Sequence, residues 1–195
     1  MPARVRIGVV LAGGDGRRLG GDKPHATIAG RTLIDRAVDI VIAAGLDPVI
    51  CAKPGFRPGG DHLVTTLVEP PTPVHPLTGI AHALHTLGEA VVTMPCDTPF
   101  LDPGLLVALA AHDGDTAVIV ADGVLQPLIG RHAPSSAAHL QAAAEAGLAV
   151  RTALADLAPA MLDADRIREG ASDTCADVDT PLDLRHARER HRTGS

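Results

Sequence analysis

The sequence contains almost no aromatic residues: its 195 residues include two Phe, no Trp and no Tyr. The core must therefore be built from Val, Leu, Ile and Ala, and the stacking platforms of single-stranded nucleic-acid binders are missing. Basic residues are not in excess either, since 17 Lys and Arg against 23 Asp and Glu give a formal net charge of -6. These absences argue against nucleic acid and against an anionic membrane surface as partners.

Cysteines are few and widely spaced, and long apolar segments are absent. Cys51, Cys96 and Cys175 form no Cys-x-x-Cys pair, which is typical of free thiols in a reducing compartment. No stretch approaches the roughly 18 apolar residues that a membrane span requires. Residues 1–10 also lack the apolar segment and cleavage site of a signal peptide. We therefore expect a cytoplasmic protein with no membrane segment.

The pattern of apolar residues predicts a single α/β domain over residues 1–195. Short β-branched runs alternate with segments of helical spacing, beginning with a strand at 5–11 and a helix at 32–44. This alternation is typical of a three-layer, doubly wound, mostly parallel sheet with helices on both faces. The charged segment 186–195 is expected to be a frayed tail. Further predicted elements are strands at 48–52, 63–68, 89–94, 116–121 and 124–130, and helices at 79–87, 103–111, 135–146 and from 180.

The loop after the first strand is rich in glycine and arginine. Ligands of such sheets bind beyond the carboxyl ends of the strands, so this loop, residues 11–24, is an expected site. Its glycines allow the backbone amides to approach an anion, and Arg17, Arg18 and Lys23 supply the charge that a triphosphate needs. Leu19 breaks a dinucleotide fingerprint, and Asp22 stands where a Walker loop requires lysine.

Two acidic positions are candidates for binding a metal ion. Asp97 directly follows the strand at 89–94, and Mg²⁺ usually takes one or two carboxylates together with substrate phosphate. Such an Asp can also cap a helix, but Asp102 is the better candidate for that role. Asp179 either supplies a second metal ligand or caps the helix that begins near residue 181, and the sequence leaves both open. Cys96 is interpreted as a small packed side chain and not as a nucleophile.

Five motifs in order make the sequence similar to the molybdenum cofactor guanylyltransferases, a family of nucleotidyltransferases. The first is Leu-Ala-Gly-Gly followed by Gly-Arg-Arg-Leu-Gly and Asp-Lys, in the glycine loop. The others are Pro-Leu-Thr-Gly-Ile at 76–80, Pro-Cys-Asp-Thr-Pro-Phe at 95–100, Gln-Pro-Leu at 126–128 and Asp-Val-Asp-Thr-Pro-Leu-Asp-Leu at 177–184. Together they span residues 11–184, which is nearly the whole chain.

The resemblance implies a fold, a reaction and partners. The fold is nucleotide-diphospho-sugar transferase-like, of Rossmann type. The reaction is the Mg²⁺-dependent transfer of GMP from GTP to the terminal phosphate of molybdenum-loaded molybdopterin, with release of pyrophosphate. Transient partners are then molybdoenzymes or cofactor-insertion proteins. Gly13 and Gly14 after Ala12 favour a guanylyl enzyme over cytidylyl relatives, which tend to carry Ala-Ala-Gly, because a side chain at Gly13 would push a purine base outward.

The resemblance also implies roles for individual residues. Arg17 and Lys23 neutralise the leaving pyrophosphate, and Asp97 binds the metal, with Asp179 as a second candidate. The expected nucleotide-binding residues are Leu11, Ala12, Gly13, Gly14, Gly16, Lys23, Lys53, Glu69 and Asp97.

Several positions depart from the family pattern on the side of the nucleotide and acceptor. Lys53 stands where Asn is common, Glu69 where Asp is expected, and His75 where Gly is usual. Asp177 and Asp179 replace two Asn residues. These differences leave open a sister enzyme that transfers a cytidylyl or guanylyl group to another small phosphorylated acceptor. A nucleotide-binding homologue without catalysis also stays open.

Overall fold

Strands and helices alternate along most of the chain in the computed structural model, which describes residues 4–14, 22–58 and 63–193. The strands are β1 (Ile7–Leu11), β2 (Thr27–Ile28), β3 (Arg31–Thr32), β4 (Asp47–Ala52), β5 (Thr65–Val68), β6 (Val91–Pro95), β7 (Thr116–Ala121), β8 (Val124–His132) and β9 (Ala160–Asp163). The α-helices are α1 (Leu33–Ala43), α2 (Pro76–Leu87), α3 (Pro103–Ala111), α4 (Ala137–Glu145), α5 (Val150–Ala155), α6 (Ala164–Ile167) and α7 (Pro181–Thr193).

The central sheet is mostly parallel, as the sequence predicted. Its strand order is β5-β4-β1-β6-β8-β7-β9, and β2 pairs with β3 in a separate ribbon. Strands β5, β4, β1 and β6 run parallel, whereas β8 is antiparallel to both of its neighbours. The predicted hairpin at Asp122-Gly123 joins β7 and β8. Strand β9, which pairs in parallel with β7, was not predicted from the sequence.

Helices cover both faces of the sheet, which confirms the three-layer, doubly wound architecture. Neighbouring side chains of β1 point to opposite faces: Val10 packs with residues of α1 and α3, and Val9 packs with residues of α2 and α4. Both valines are fully buried. Because both faces are apolar, β1 reads as a continuous hydrophobic run, as expected for a parallel strand between two helical layers.

Asp102 has the capping role that the sequence assigned to it. Its Oδ1 accepts a hydrogen bond from the amide of Gly104 at 2.7 Å, at the start of α3. Its Oδ2 pairs with Arg168 Nη1 at 2.6 Å. Both carboxylate oxygens of Asp102 are therefore taken up by contacts that support the fold.

The expectation of a frayed tail at 186–195 was wrong for the described part of that segment. Helix α7 continues to Thr193, and residues 194–195 lie outside the described residues. Ala187 is buried, Arg190 lies over the ring of Phe100 at 4.9 Å, and Arg188 Nε donates to Thr27 O at 3.0 Å. Arginines that look like solvated charges in the sequence therefore anchor the helix. Among the described residues, no helix is both long and apolar enough to cross a membrane.

His132 is a buried histidine whose two ring nitrogens have no hydrogen-bond partner among the described groups. It lies on β8, between Val91 of β6 and Thr116 of β7. Burial lowers the pKa of His132 to about 4. In the unfolded chain the ring regains an ordinary pKa near 6.5. Between these two pH values the unfolded state binds the extra proton, so stability is complete above about pH 6.5 and falls as the pH drops toward 4.

His132→Leu is expected to make the protein less sensitive to acid. Relative to the variant, the wild type should lose roughly 2 kcal/mol of unfolding free energy between pH 7 and pH 5. Urea unfolding of both proteins at the two pH values measures this difference. Replacement of the exposed His186 by Leu is the control. Parallel losses in wild type and His132→Leu would contradict the account.

Candidate active site

A cavity of about 260 Å³ opens at the carboxyl ends of β1, β4 and β6. Leu11 ends β1 and Asp97 follows β6, so the sheet brings the two predicted loops to the same edge. The residues from the sequence prediction that line the cavity are Leu11, Gly13, Gly14, Lys23, Glu69 and Asp97.

Lys23 connects two carboxylates that are far apart in the sequence. It lies in a short 3-10 turn (Lys23–His25), and its side chain is 11% exposed. Its Nζ donates to Asp97 Oδ2 at 2.5 Å and also to Asp179 Oδ1. Burial acts to lower the pKa of Lys23, but Asp97 and Asp179 outweigh burial, so the pKa is raised overall. Lys23 therefore carries a positive charge between the two acids.

Backbone hydrogen bonds hold the two carboxylates next to each other. The amide of Val178 donates to Asp97 O at 2.8 Å, which ties the segment before α7 to the end of β6. The amide of Cys96 donates to Leu11 O at 3.1 Å and ties the same loop to β1. The positions of Asp97 and Asp179 are therefore fixed by the sheet and not only by Lys23.

Thr180, and not Asp179, caps α7. Thr180 Oγ1 accepts a hydrogen bond from the amide of Asp183 at 3.2 Å, and Asp183 Oδ2 accepts from the amide of Thr180 at 2.7 Å. This reciprocal pair is a capping box with Asp in place of Glu. The side chain of Asp179 instead contacts Lys23. The helix-cap alternative for Asp179 was therefore wrong, and its metal-binding role stays a prediction.

The capping box and the site can be separated by two substitutions. Thr180→Ala is expected to cost about 1 kcal/mol of stability with little effect on turnover, because it removes a cap. Asp179→Ala is expected to raise the Mg²⁺ concentration needed for half-maximal rate, with a smaller change in melting temperature. Thermal melts and Mg²⁺ titrations of both variants measure the contrast. The reverse pattern would assign Asp179 to the helix and Thr180 to the site.

The carboxylates have the donor chemistry that Mg²⁺ prefers. Asp97 Oδ1 is buried and has no hydrogen-bond partner among the described groups. With the Asp179 carboxylate it offers an oxygen donor set of the kind Mg²⁺ takes together with substrate phosphate. The described residues contain no cluster of three or more His, Cys, Asp or Glu side chains that could hold a metal. The two carboxylates therefore fit an Mg²⁺ ion whose remaining ligands would come from substrate.

Glu69 and Lys53, both predicted to contact nucleotide, contact each other. Glu69 follows β5, is 4% exposed, and its Oε1 lies 3.2 Å from Lys53 Nζ. Lys53 Nζ also donates to Pro70 O at 3.0 Å. Burial raises the pKa of Glu69 and Lys53 acts against this, with a raised pKa as the net result. The sequence has only two lysines, and each one holds a carboxylate of this cavity.

The structure gives a different reason for glycine at position 13 from the one inferred from the sequence. A Cβ atom at Gly13 would lie 2.0 Å from Glu69 Oε1, and a Cβ at Gly79 would lie 2.7 Å from Glu69 Oε2. A Cβ at Gly14 would meet nothing within 4 Å. Gly13 therefore makes room first for the Glu69 carboxylate and only through it for a base. The sequence contained Gly79 within a recognised motif, but no local signal revealed this contact.

The remaining predicted residues lie elsewhere. Ala12 and Lys53 line a neighbouring depression with Phe56 and Arg57. Gly16 and Arg17 lie outside the described residues, so their roles stay predictions.

Two further residues of the cavity, His75 and Cys96, have structural roles. His75 Nδ1 accepts from the amide of Leu77 at 3.3 Å, so this departure from the family pattern caps α2. Cys96 is buried, and burial raises its pKa to about 12, so it remains a thiol and not a nucleophile.

The fold and the site together define an α/β protein with a candidate ligand site beyond the carboxyl ends of its parallel strands. The model of the MobA-like NTP transferase domain matches residues 8–161. A molybdenum cofactor guanylyltransferase of Cereibacter sphaeroides is 33% identical over 138 residues, 64% of this chain and 67% of that protein. Another from Shewanella sp. is 31% identical over 153 residues, 71% and 74% of the two chains. This chain belongs to the MobA-like NTP transferase family.

A solved structure confirms the fold. Molybdopterin-guanine dinucleotide biosynthesis protein A from Archaeoglobus fulgidus superposes with a TM-score of 0.79 at 22% identity, over 95% of this chain and 98% of that one. The nucleotide-diphospho-sugar transferase-like, Rossmann-type fold inferred from the sequence motifs is therefore confirmed.

Proposed function

We propose that this protein transfers GMP from GTP to the terminal phosphate of molybdopterin, with Mg²⁺ as cofactor and pyrophosphate as the second product. The observation that carries the proposal is the cluster of Lys23, Asp97 and Asp179 at the mouth of the cavity. The names of the Cereibacter and Shewanella relatives support the choice of nucleotide and acceptor.

The phosphate end of the site acts by position and charge. The acceptor phosphate attacks the α-phosphorus of GTP and pyrophosphate leaves, so little covalent chemistry falls to the protein. Asp97 and Asp179 would hold the Mg²⁺ ion. When bound, this ion would neutralise negative charge on the phosphate oxygens. Lys23 supplies a positive side chain between these acids and neutralises charge on the leaving side.

The base end of the site favours guanine. Guanine presents two adjacent donors, N1–H and the exocyclic amine, and a carboxylate such as Glu69 accepts both. Adenine and cytosine present a ring-nitrogen acceptor beside their amine, which a carboxylate repels. Leaving a buried acceptor unpaired costs about 1–3 kcal/mol, enough to discriminate between bases. Glu69 is therefore the proposed reader of the purine.

The reaction takes place in the cytoplasm in this proposal, and its product is handed to a transient molybdoenzyme or cofactor-insertion partner. The product of this reaction is a cofactor that acts only when it is bound to an enzyme, so the proposal includes a protein that receives it.

A competition assay tests the proposed function. Wild-type protein is incubated with molybdopterin, Mg²⁺ and equal amounts of GTP, CTP, ATP and UTP, and the nucleotide consumed is identified. Preferential use of GTP is expected. Preferential use of CTP or ATP would overturn the guanylyl assignment, and the absence of turnover with any of them would leave a nucleotide-binding homologue.

A further inference from the structure

The Glu69 carboxylate is enclosed by three separate parts of the fold. The glycine loop approaches it through Gly13, α2 approaches it through Gly79, and Lys53 reaches it from the end of β4. Both glycines stand where any side chain would overlap a carboxylate oxygen. The two glycines therefore leave the space that the Glu69 carboxylate occupies on the cavity wall.

Gly79 is costly for the helix in which it lies. It occupies the fourth position of the 12-residue helix α2, where Gly disfavours the helical conformation relative to Ala. An added Cβ would also lie 3.4 Å from Leu11 Cδ2 and 3.6 Å from Cys51 Sγ, which are tolerable contacts. The contact with Glu69 Oε2 at 2.7 Å is the one that an alanine cannot make without moving its neighbour. The space at Gly79 therefore serves Glu69 and not the packing of the helix.

Lys53 fixes the same carboxylate by charge. Its Nζ holds Glu69 Oε1 at 3.2 Å and Pro70 O at 3.0 Å, so it binds both the side chain and the backbone that carries it. An uncharged side chain at this position would have no charge to offset that of a buried carboxylate. Glu69 and Lys53 thus form a matched pair in this chain.

We propose that Lys53 and Gly79 are positioning residues that set the base specificity of this enzyme by holding the Glu69 carboxylate in place against the guanine edge, with Lys53 favouring its charged form. This inference rests on the proposed function, because it assigns the purine to the Glu69 end of the cavity. Lys53 acts through Glu69 and does not contact the nucleotide. Gly79 acts by leaving space for the second carboxylate oxygen.

Lys53 and Cys51 are the titratable groups that approach Glu69 from β4. The same cavity is also lined by four further titratable groups: His75, Lys23, Cys96 and Asp97. The pKa of Cys51 is raised to about 12, first by burial and then by Glu69, so this thiol stays neutral at working pH. Lys53 is then the partner that opposes the effect of burial on Glu69.

The first measurement follows the charge of Glu69 itself. The sequence has only five glutamates, so selective ¹³C labelling gives five carboxyl signals, and Glu69→Gln assigns the one of interest. We expect Lys53→Met to raise the pKa of Glu69, and Arg151→Met, a change at an exposed arginine, to leave it unaltered. An unchanged Glu69 titration in Lys53→Met would overturn the role of Lys53, whatever the activity of the protein.

The second measurement follows base recognition with GTP and inosine triphosphate, which lacks the exocyclic amine. Wild type should prefer GTP. Lys53→Met and Gly79→Ala should each raise KM for GTP about tenfold and reduce the GTP preference, with kcat nearly unchanged. The Lys53→Met defect should also deepen as the pH falls, because Glu69 protonates earlier.

The outcomes separate this inference from the proposed function. If wild type does not prefer GTP over CTP, ATP and UTP, the proposed function fails, while the Glu69 titration still reports on Lys53. If wild type does not prefer GTP over inosine triphosphate, Glu69 does not read the guanine edge and the inference fails. If wild type prefers GTP over inosine triphosphate and both variants keep that preference, Lys53 and Gly79 do not position Glu69 for base recognition and the inference fails. Melting temperatures of both variants show whether loss of stability contributes, because the helical gain from Gly79→Ala is opposed by displacement of the buried Glu69 carboxylate.

Discussion

Asp97→Asn is expected to lower pyrophosphate release at least about 100-fold, the loss typical of removing one strong electrostatic contributor. Asp97 Oδ1 is buried with no hydrogen-bond partner among the described residues, and Oδ2 accepts from Lys23 at 2.5 Å. The amide of an asparagine keeps the shape but removes the charge that attracts a metal ion. The effect should therefore fall mainly on kcat and on the Mg²⁺ requirement.

The matched control for Asp97→Asn is Asp122→Asn. Asp122 is exposed in the turn between β7 and β8, at a positive φ of 48° that Asn tolerates well. Both variants should melt near the wild-type temperature. Near-normal pyrophosphate release by Asp97→Asn would remove Asp97 from the role of metal acid.

Lys23→Met is expected to separate metal binding from turnover. In the nucleotide-free protein, the Lys23 ammonium bonds to the carboxylates that would hold the metal, so it competes with a cation for them. Its removal should tighten Mn²⁺ binding by about tenfold, the equivalent of one net charge-assisted hydrogen bond. Turnover should nevertheless fall about 100-fold or more, because the leaving group loses a fixed positive charge.

Titration of Mn²⁺ by electron paramagnetic resonance, without nucleotide, measures the first effect. Calorimetry with GTP and GMP measures the second, since loss of Lys23 should weaken the triphosphate more than the monophosphate. Arg151→Met is the control for loss of a basic side chain. Weaker Mn²⁺ binding in Lys23→Met would show that Lys23 supports the metal site instead of competing for it.

The sheet and its loops were predictable because strong local signals coincide there. The apolar runs of β1 and β6 end at Leu11 and just before Asp97, and parallel topology alone brings those ends together. Asp102 before Pro103 is a local capping signal, and the structure has that cap. Local patterns in the sequence therefore predict that the loops after β1 and β6 lie at the same edge of the sheet.

The features of the site and of α7 that the sequence did not predict depend on contacts between residues far apart in the chain. The sequence left Asp179 open as a metal ligand or a helix cap, and only its contact with Lys23 and the cap formed by Thr180 decide against the cap. The pairing of Lys53 with Glu69 joins two separate strand ends, and the motif that contains Gly79 gave no sign of its contact with Glu69. The start of helix α7 was predicted, but its continuation past residue 186 was missed because its arginines act through a ring and carbonyl oxygens of other segments.

The most direct measurement of nucleotidyl transfer uses GTP labelled with ³²P at either the α or the γ position, together with molybdopterin and Mg²⁺. The account predicts that the α label enters a product containing molybdopterin and that the γ label leaves in pyrophosphate, with neither event in Asp97→Asn. Release of the γ label as inorganic phosphate, or absence of the α label from the acceptor, would contradict the assignment of this site to nucleotidyl transfer.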